Sequence, residues 1–273
     1  MSRLGVCSWS LQAENPETLA ERVDACGVKH VQLALDPIRT GAWGMGSTVR
    51  ALEGVGATVV SGMWAPEGED YSTLASIRET GGIVPDATWE ANRRAAADAA
   101  TIAAALGLRL VTFHAGFIPE GDSALDASPV PGRLRELAGI FAASGVRLAL
   151  ETGQEHAHDL AALLARLDGT GIGVNFDPAN LVLYGMGNPI PALRLLKPHV
   201  LQVHVKDAVP TEVEGTWGVE VPVGEGVVDW NAFFALLDDH PIDCVIEREA
   251  GTSRVADVVT ARAKVASLRR GIV

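Results

Sequence analysis

Eight short apolar runs recur along the chain, and their spacing restricts the fold more than any other feature. They are GVCSW (5–9), HVQLAL (30–35), ATVVSGMW (57–64), RLVTFHAG (109–116), RLALETG (147–153), IGVNFDPAN (172–180), VLQVHVKD (200–207) and DCVIEREAG (243–251). Each is rich in β-formers and close to continuously apolar, as expected of parallel strands buried on both faces. Helix-like stretches lie between them. NPETLAERVDACG has Pro16 at its start and Gly27 at its end, a usual start and stop. DATWEANRRAAADAATIAAALG is long and Ala-rich, with Asp86 as its candidate N-cap, and the segment 41–56 reads as a short, Gly-interrupted helix.

Strand–helix alternation repeated eight times predicts a closed (β/α)8 barrel. An open doubly wound sheet is the alternative, but no Gly-rich phosphate fingerprint follows the first strand. The 273 residues fit one barrel domain over 1–273. The longest irregular stretches, 117–132 and 208–228, both follow strands, where barrel loops carry function.

Composition narrows the partners. No apolar run approaches the ~20 residues of a membrane span, and the N-terminus has no leader-like apolar stretch. A cytoplasmic protein without membrane contacts is therefore expected. The net charge of −12 argues against nucleic acid, which calls for a basic face. Cys7, Cys26 and Cys244 are odd in number and far apart, so reduced thiols are expected rather than a disulfide framework.

In a barrel, reactive groups gather where strands end. The fifth to eighth runs close on Glu151, Asp177, His204 and Glu247. Alternation along a strand puts Asn175 on the face of Asp177, and Gln202 and Lys206 on the face of His204. Each acid could separately be a cap or an ion-pair partner. Three carboxylates crowded at one mouth, however, would repel and lose solvation, and a divalent cation removes that cost. Oxygen ligands with one imidazole suit Mn2+, Mg2+ or Co2+, whereas Zn2+ favours sulfur and nitrogen ligands.

Other residues at run ends add further candidates. His114 closes the fourth run and could act as acid, base or hydroxyl partner, or be structural. Lys206 could stabilise an oxyanion, or pair with Asp207 or another acid. Trp9 and Trp64 could stack on a sugar face, or simply fill space. One of Arg248 and Glu249 could point into the pocket, but the two read first as a solvated loop pair, and His156 and His158 read as surface residues.

These pieces together resemble the xylose isomerase-like TIM-barrel superfamily, which includes sugar phosphate isomerases/epimerases and AP endonucleases. The resemblance is carried by LETGQE around Glu151, NFDPANL around Asp177, QVHVKD around His204, GEGVVDW (224–230) and VIERE around Glu247. It implies one metal held by Glu151, Asp177, His204 and Glu247. It also implies proton transfer through an enediolate, with Glu151 and Glu247 as the acid/base pair on a sugar or polyol ketone. Barrels of this kind often pair, so a homodimer or tetramer is expected. Three substrate-handling positions depart from the ketose 3-epimerase pattern, which has a glutamate at Ala157, a histidine at Asn180 and often an acid at Gln32. An inosose dehydratase-like lyase on the same site is the alternative. An AP endonuclease, with its larger His/Asp/Glu cluster, and a non-catalytic sugar-binding protein rank below it.

Overall fold

A computed structural model describes residues 2–213 and 215–269. Eight parallel strands close into a barrel: β1 (Leu4–Cys7), β2 (His30–Ala34), β3 (Thr58–Met63), β4 (Leu110–Phe113), β5 (Arg147–Glu151), β6 (Gly173–Phe176), β7 (Val200–Val205) and β8 (Asp243–Ile246). Each strand pairs with its neighbours in sequence, and β1 returns to β8 with Leu4 beside Cys244 and Val6 beside Ile246. The geometry is that of a (β/α)8 TIM barrel. Outward-facing strand residues such as Val31, Leu33, Val111, Phe176 and Val203 are buried beneath the helices with Phe141 and Phe233.

The local signals worked as their chemistry predicts. Asn15 caps the helix Pro16–Cys26 by accepting from Thr18 N at 2.8 Å, and Gly27 ends it at φ 66°, where glycine carries no Cβ penalty. The segment 41–56 forms one helix, Met45–Gly54. Three details differ from expectation. The long helix Asp86–Ala105 takes Pro85 as its N-cap. Asp86 is its first helical residue and pairs instead with Arg133. The stretch 117–132 contains a short helix, Asp122–Ala127, and the next helix begins at Val130. The stretch 208–228 contains the second strand of a small antiparallel hairpin, Asp207–Val209 with Val219–Val221. The last helix-like stretch of the sequence, RVADVVTARAKVASLRR (254–270), forms a helix over Arg254–Leu268, and Arg270 lies outside the described residues.

The interior of the barrel is polar. Ser61 on β3 donates to Gln202 on the diametrically placed β7 at 2.6 Å, so both side chains must point inward. Gln202 donates to Asn175 at 3.3 Å, and Gln32 donates to Thr112 at 2.8 Å. All five are essentially without solvent contact. Bonded in this way, buried amides and hydroxyls fix one another's rotamers and form a rigid floor below the barrel mouth.

Candidate metal centre and active site

Glu151 is the last residue of β5, Asp177 follows β6, His204 is the penultimate residue of β7, and Glu247 follows β8. Each of the four offers one ligand atom, and these atoms all lie within 4.8 Å of one another. His204 Nδ1 sits 3.2 Å from Glu151 Oε1, 3.3 Å from Glu247 Oε2 and 3.6 Å from Asp177 Oδ2. All four side chains are buried.

The local sequence explains how Asp177 is aimed. Its Oδ1 caps the helix Pro178–Leu183, accepting from Ala179 N at 2.7 Å and Asn180 N at 3.0 Å. Oδ2 is thereby turned toward the cluster, where it makes no hydrogen bond; His204 Nδ1 makes none either. A buried polar atom without a partner costs about 1–3 kcal/mol. Two such atoms facing each other among carboxylates form a donor set that fits a divalent ion, and the chemistry of the set, three carboxylates and one imidazole, fits an oxygen-preferring metal.

The protonation pattern of the bare cluster agrees. Burial would depress the His204 pKa, but Glu151 and Glu247 raise it well above the usual imidazole range. The imidazolium thus supplies the positive charge that the carboxylates need. Burial pushes Asp177 up to about 6, against the pull of Lys206. Glu247 is held well below the usual carboxylate range because Lys206 and His204 outweigh its burial. Glu151 is lowered by His204 and His114 against the same burial penalty.

The surrounding groups have definite tasks. Gln32 lies below the cluster, and its Oε1 is 2.7 Å from His204 Nε2. That contact directs the Nε2 proton away from the cluster and leaves Nδ1 for a metal. Cys7 Sγ is also on the Nε2 side, at 3.7 Å, and burial keeps its thiol neutral. Asn175 Nδ2 donates to Glu151 Oε2 at 3.2 Å, and Trp9 Nε1 donates to Glu247 Oε1 at 2.7 Å. Asn180 bridges the two sides, donating to Glu151 Oε1 at 3.1 Å and accepting from Lys206 at 3.2 Å.

Trp9, His114, Asn180, Lys206 and Glu247 line a cavity of about 820 Å³ above the cluster. His114 Nε2 is 3.7 Å from Glu151 Oε1. Burial opposes its protonation, but Glu151 and Glu69 raise its pKa overall. Two residues expected at the substrate lie elsewhere. Trp64 is fully buried, its ring 5.0 Å from that of Phe113, and is not part of the cavity wall. Its position is that of a packing residue. Gln32 is likewise outside the wall, in contact with His204 rather than with the cavity.

Lys206 pairs with Glu247 at 2.9 Å and Glu249 at 2.6 Å, and not with Asp207. Asp207 faces the other way and accepts from Gly224 N, Val228 N and Trp230 Nε1. Gly226 must be glycine here, because a Cβ would come within 2.0 Å of Asp207 Oδ1. This accounts for the GEGVVDW segment. Glu249 and Arg248 do not pair with each other, and only Glu249 is exposed. Glu249 lines the cavity, while Arg248 is buried against Glu220 and Asp257, each at 2.8 Å. His156 binds Met186 O at 3.1 Å and His158 is exposed on Asp159, in keeping with roles away from the cluster. In LETGQE, position 153 calls for glycine, because its φ is 144° and a Cβ there would lie 2.3 Å from that of Asn180.

The residues missed from sequence are the outer walls: Asp36, Glu69, Tyr71, Tyr184, Trp217 and Glu220. Most come from loops whose polar and aromatic residues follow no period. The only available signal was that such loops follow strands.

The "Xylose isomerase-like TIM barrel" family model matches residues 71–270. Among solved structures, a xylose isomerase domain protein from Planctomyces limnophilus is 30% identical, with 92% of each chain covered and a TM-score of 0.85. L-ribulose 3-epimerase is 17% identical, with 98% of this chain and 94% of that one covered, at TM-score 0.74. The probable 3-DHS dehydratase AsbF of Bacillus anthracis is 15% identical, with coverage of 99% and 100%, also at 0.74. The last two are likenesses of fold. Among curated proteins, the uncharacterized protein YihM of Escherichia coli (strain K12) is 27% identical over 150 residues, which are 53% of this chain and 45% of that protein. This chain therefore aligns with less than half of YihM's length. With the family match spanning most of the sequence and the barrel closed, the chain belongs to the xylose isomerase-like TIM-barrel family.

Proposed function

We propose that the protein is a divalent-metal-dependent isomerase or epimerase acting on a sugar or a sugar-derived ketone. The observation that carries this reading is the pair of unbonded buried atoms, His204 Nδ1 and Asp177 Oδ2, set between two glutamates under an open cavity. Glu151, Asp177, His204 and Glu247 would hold the ion, of which Mn2+, Mg2+ or Co2+ suits the oxygen-rich set. Once bound, it would polarise the substrate carbonyl and acidify the neighbouring C–H.

The protein's own groups do the rest. Glu151 and Glu247, three strands apart around the barrel, are the pair that removes and returns the proton. Trp9 and Lys206 fix the two oxygens of Glu247, and Asn175 and Asn180 fix those of Glu151. The protonated Lys206, whose pKa is raised well above normal by Glu247 and Glu249 despite burial, would stabilise an enediolate oxygen. His114 would bind a hydroxyl from the cavity side. Fold neighbours such as L-ribulose 3-epimerase and D-psicose 3-epimerase support the same reading.

A lyase is the second reading. His114 and Lys206 both face the cavity, and either could protonate a departing hydroxyl; the dehydratase AsbF shares the fold. The test is deuterium wash-in from D2O across a ketose panel with Mn2+, scored by mass. Exchange without loss of water supports the isomerase, and exchange with loss of 18 mass units (one water) supports the lyase. Glu151→Gln and Glu247→Gln should each lower exchange by about 10²–10⁴-fold. If no ketose exchanges and no metal is retained, the proposal fails.

A further inference from the structure

By its apolar run Cys7 is a core thiol, but the barrel sets it beside a metal ligand. Its Sγ lies 3.7 Å from His204 Nε2 and 3.5 Å from Gln32 Oε1, without solvent contact. Cys7 Sγ, a ring nitrogen of His204 and a carboxylate oxygen of Glu247 form a second set of ligand atoms within 4.8 Å of one another. This set shares His204 and Glu247 with the four-residue set and leaves out Glu151 and Asp177.

The spacing and the donors suit a different ion. A tetrahedral cation bonded to sulfur at about 2.3 Å and to nitrogen at about 2.1 Å holds those two atoms about 3.6 Å apart. The observed separation is 3.7 Å. Sulfur, imidazole and one carboxylate favour Zn2+ or the softer Cd2+, whereas the four-residue set is mostly oxygen. Burial keeps the thiol neutral in the bare protein; a coordinated ion expels that proton to solvent.

The His204 ring separates the two sets. Its Nδ1 faces Glu151 Oε1 at 3.2 Å and Glu247 Oε2 at 3.3 Å, and its Nε2 faces Cys7 and Gln32. A neutral imidazole carries one proton. With an ion on Nδ1, the proton stays on Nε2 and goes to Gln32 Oε1. With an ion on Nε2, it stays on Nδ1 and a carboxylate accepts it, the common backing of a metal-bound histidine. Gln32 Oε1, 2.7 Å from Nε2, then gives way, while the amide keeps its bond to Thr112. Ions on both nitrogens would leave the ring no proton, and Glu247 would have to serve both.

We infer that the barrel mouth holds a second metal position, formed by Cys7, His204 and Glu247 and suited to thiophilic divalent ions such as Zn2+ and Cd2+, whose occupation excludes an ion from the position at Glu151 and Asp177. The mouth sorts metals by the nitrogen of His204 that they take. This concerns metal binding alone and does not depend on the ketone chemistry proposed above.

Cd2+ titration, followed by ultraviolet absorption and calorimetry, tests it. With the EDTA-treated protein, a thiolate-to-cadmium charge-transfer band should rise and saturate. With the Mn2+-loaded protein, free Mn2+ should appear by electron paramagnetic resonance as the band grows. Cys7→Ser should abolish the band and weaken Cd2+ binding about tenfold or more, with Mn2+ affinity held within about threefold. Asp177→Asn, which keeps a helix cap, should do the opposite, weakening Mn2+ about tenfold or more with the band intact; it also covers the chance that the cysteine variant folds poorly. No band in the natural protein, a band that survives Cys7→Ser, or Mn2+ retained while the band is fully developed would overturn the inference. A Cys7-dependent band in a protein that binds no Mn2+ would sink the Mn2+-dependent isomerase and leave the sulfur position standing. Mn2+ binding and ketose exchange without the band would do the reverse.

Discussion

At the scale of single residues, the mouth was legible wherever a polar side chain closes an apolar run. Glu151, Asp177, His204 and Glu247 all met that condition, and their ligand atoms converge. The same rule treated Trp9 and Trp64 alike, although only Trp9 reaches the cavity. The difference is made by a single turn of helix after β1, Ser8–Leu11, which carries Trp9 over Glu247. Trp64 continues its strand into the packing around Phe113, and no pattern in the residues announces that. The resemblance to ketose 3-epimerases makes Gln32 a substrate position, whereas its partners are His204 and Thr112. The consequence is testable. Gln32→Leu should weaken Mn2+ binding by about 10–100-fold, the range for partners that orient a ligand histidine, while circular dichroism stays native. Unchanged Mn2+ affinity by calorimetry would show that His204 needs no such support.

Among the elements, the strands and the longer helices follow from period and capping, because those signals are local. The hairpin Asp207–Val209 with Val219–Val221 was not readable. It is moored by contacts between distant segments: Asp207 to the 224–230 turn, and Glu220 to the backbone N–H groups of Glu249 and Ala250. Two of the cavity's wall residues, Trp217 and Glu220, ride on this unit. Asp207→Ala should therefore cost about 2 kcal/mol, the scale of hydrogen bonds to a charged acceptor. Amide exchange over 208–228 should rise while the Mn2+ affinity of the barrel mouth is retained. Uniform exchange throughout the chain in the variant would mean instead that Asp207 supports the barrel itself.

For the whole molecule, pH and closure matter most. Glu155 is buried behind the mouth, and burial pushes its pKa up to about 8, against the backbone N–H groups of Gly153 and Gln154 and the charge of His114. A folded pKa above the unfolded value of 4.5 means that the native state holds the proton more tightly. Stability is therefore highest below about pH 4.5 for this group, falls as the pH climbs toward 8, and then levels off. Glu155→Gln should gain about 2 kcal/mol relative to the natural protein between pH 5 and pH 8.5 in urea titrations, a figure below the full shift because local opening relieves a buried charge. A pH-independent difference would show that Glu155 is hydrated.

The closure of the barrel sets β1 against β8, and along that seam Cys7 and Cys244 are both buried with thiols that burial keeps protonated. Neither sulfur meets a reagent until the protein around it opens. A chromogenic thiol reagent added to the folded protein thus becomes a clock. With Cys26 replaced by serine, it ticks only when the protein around that seam opens, and its rate in the native buffer counts how often this happens.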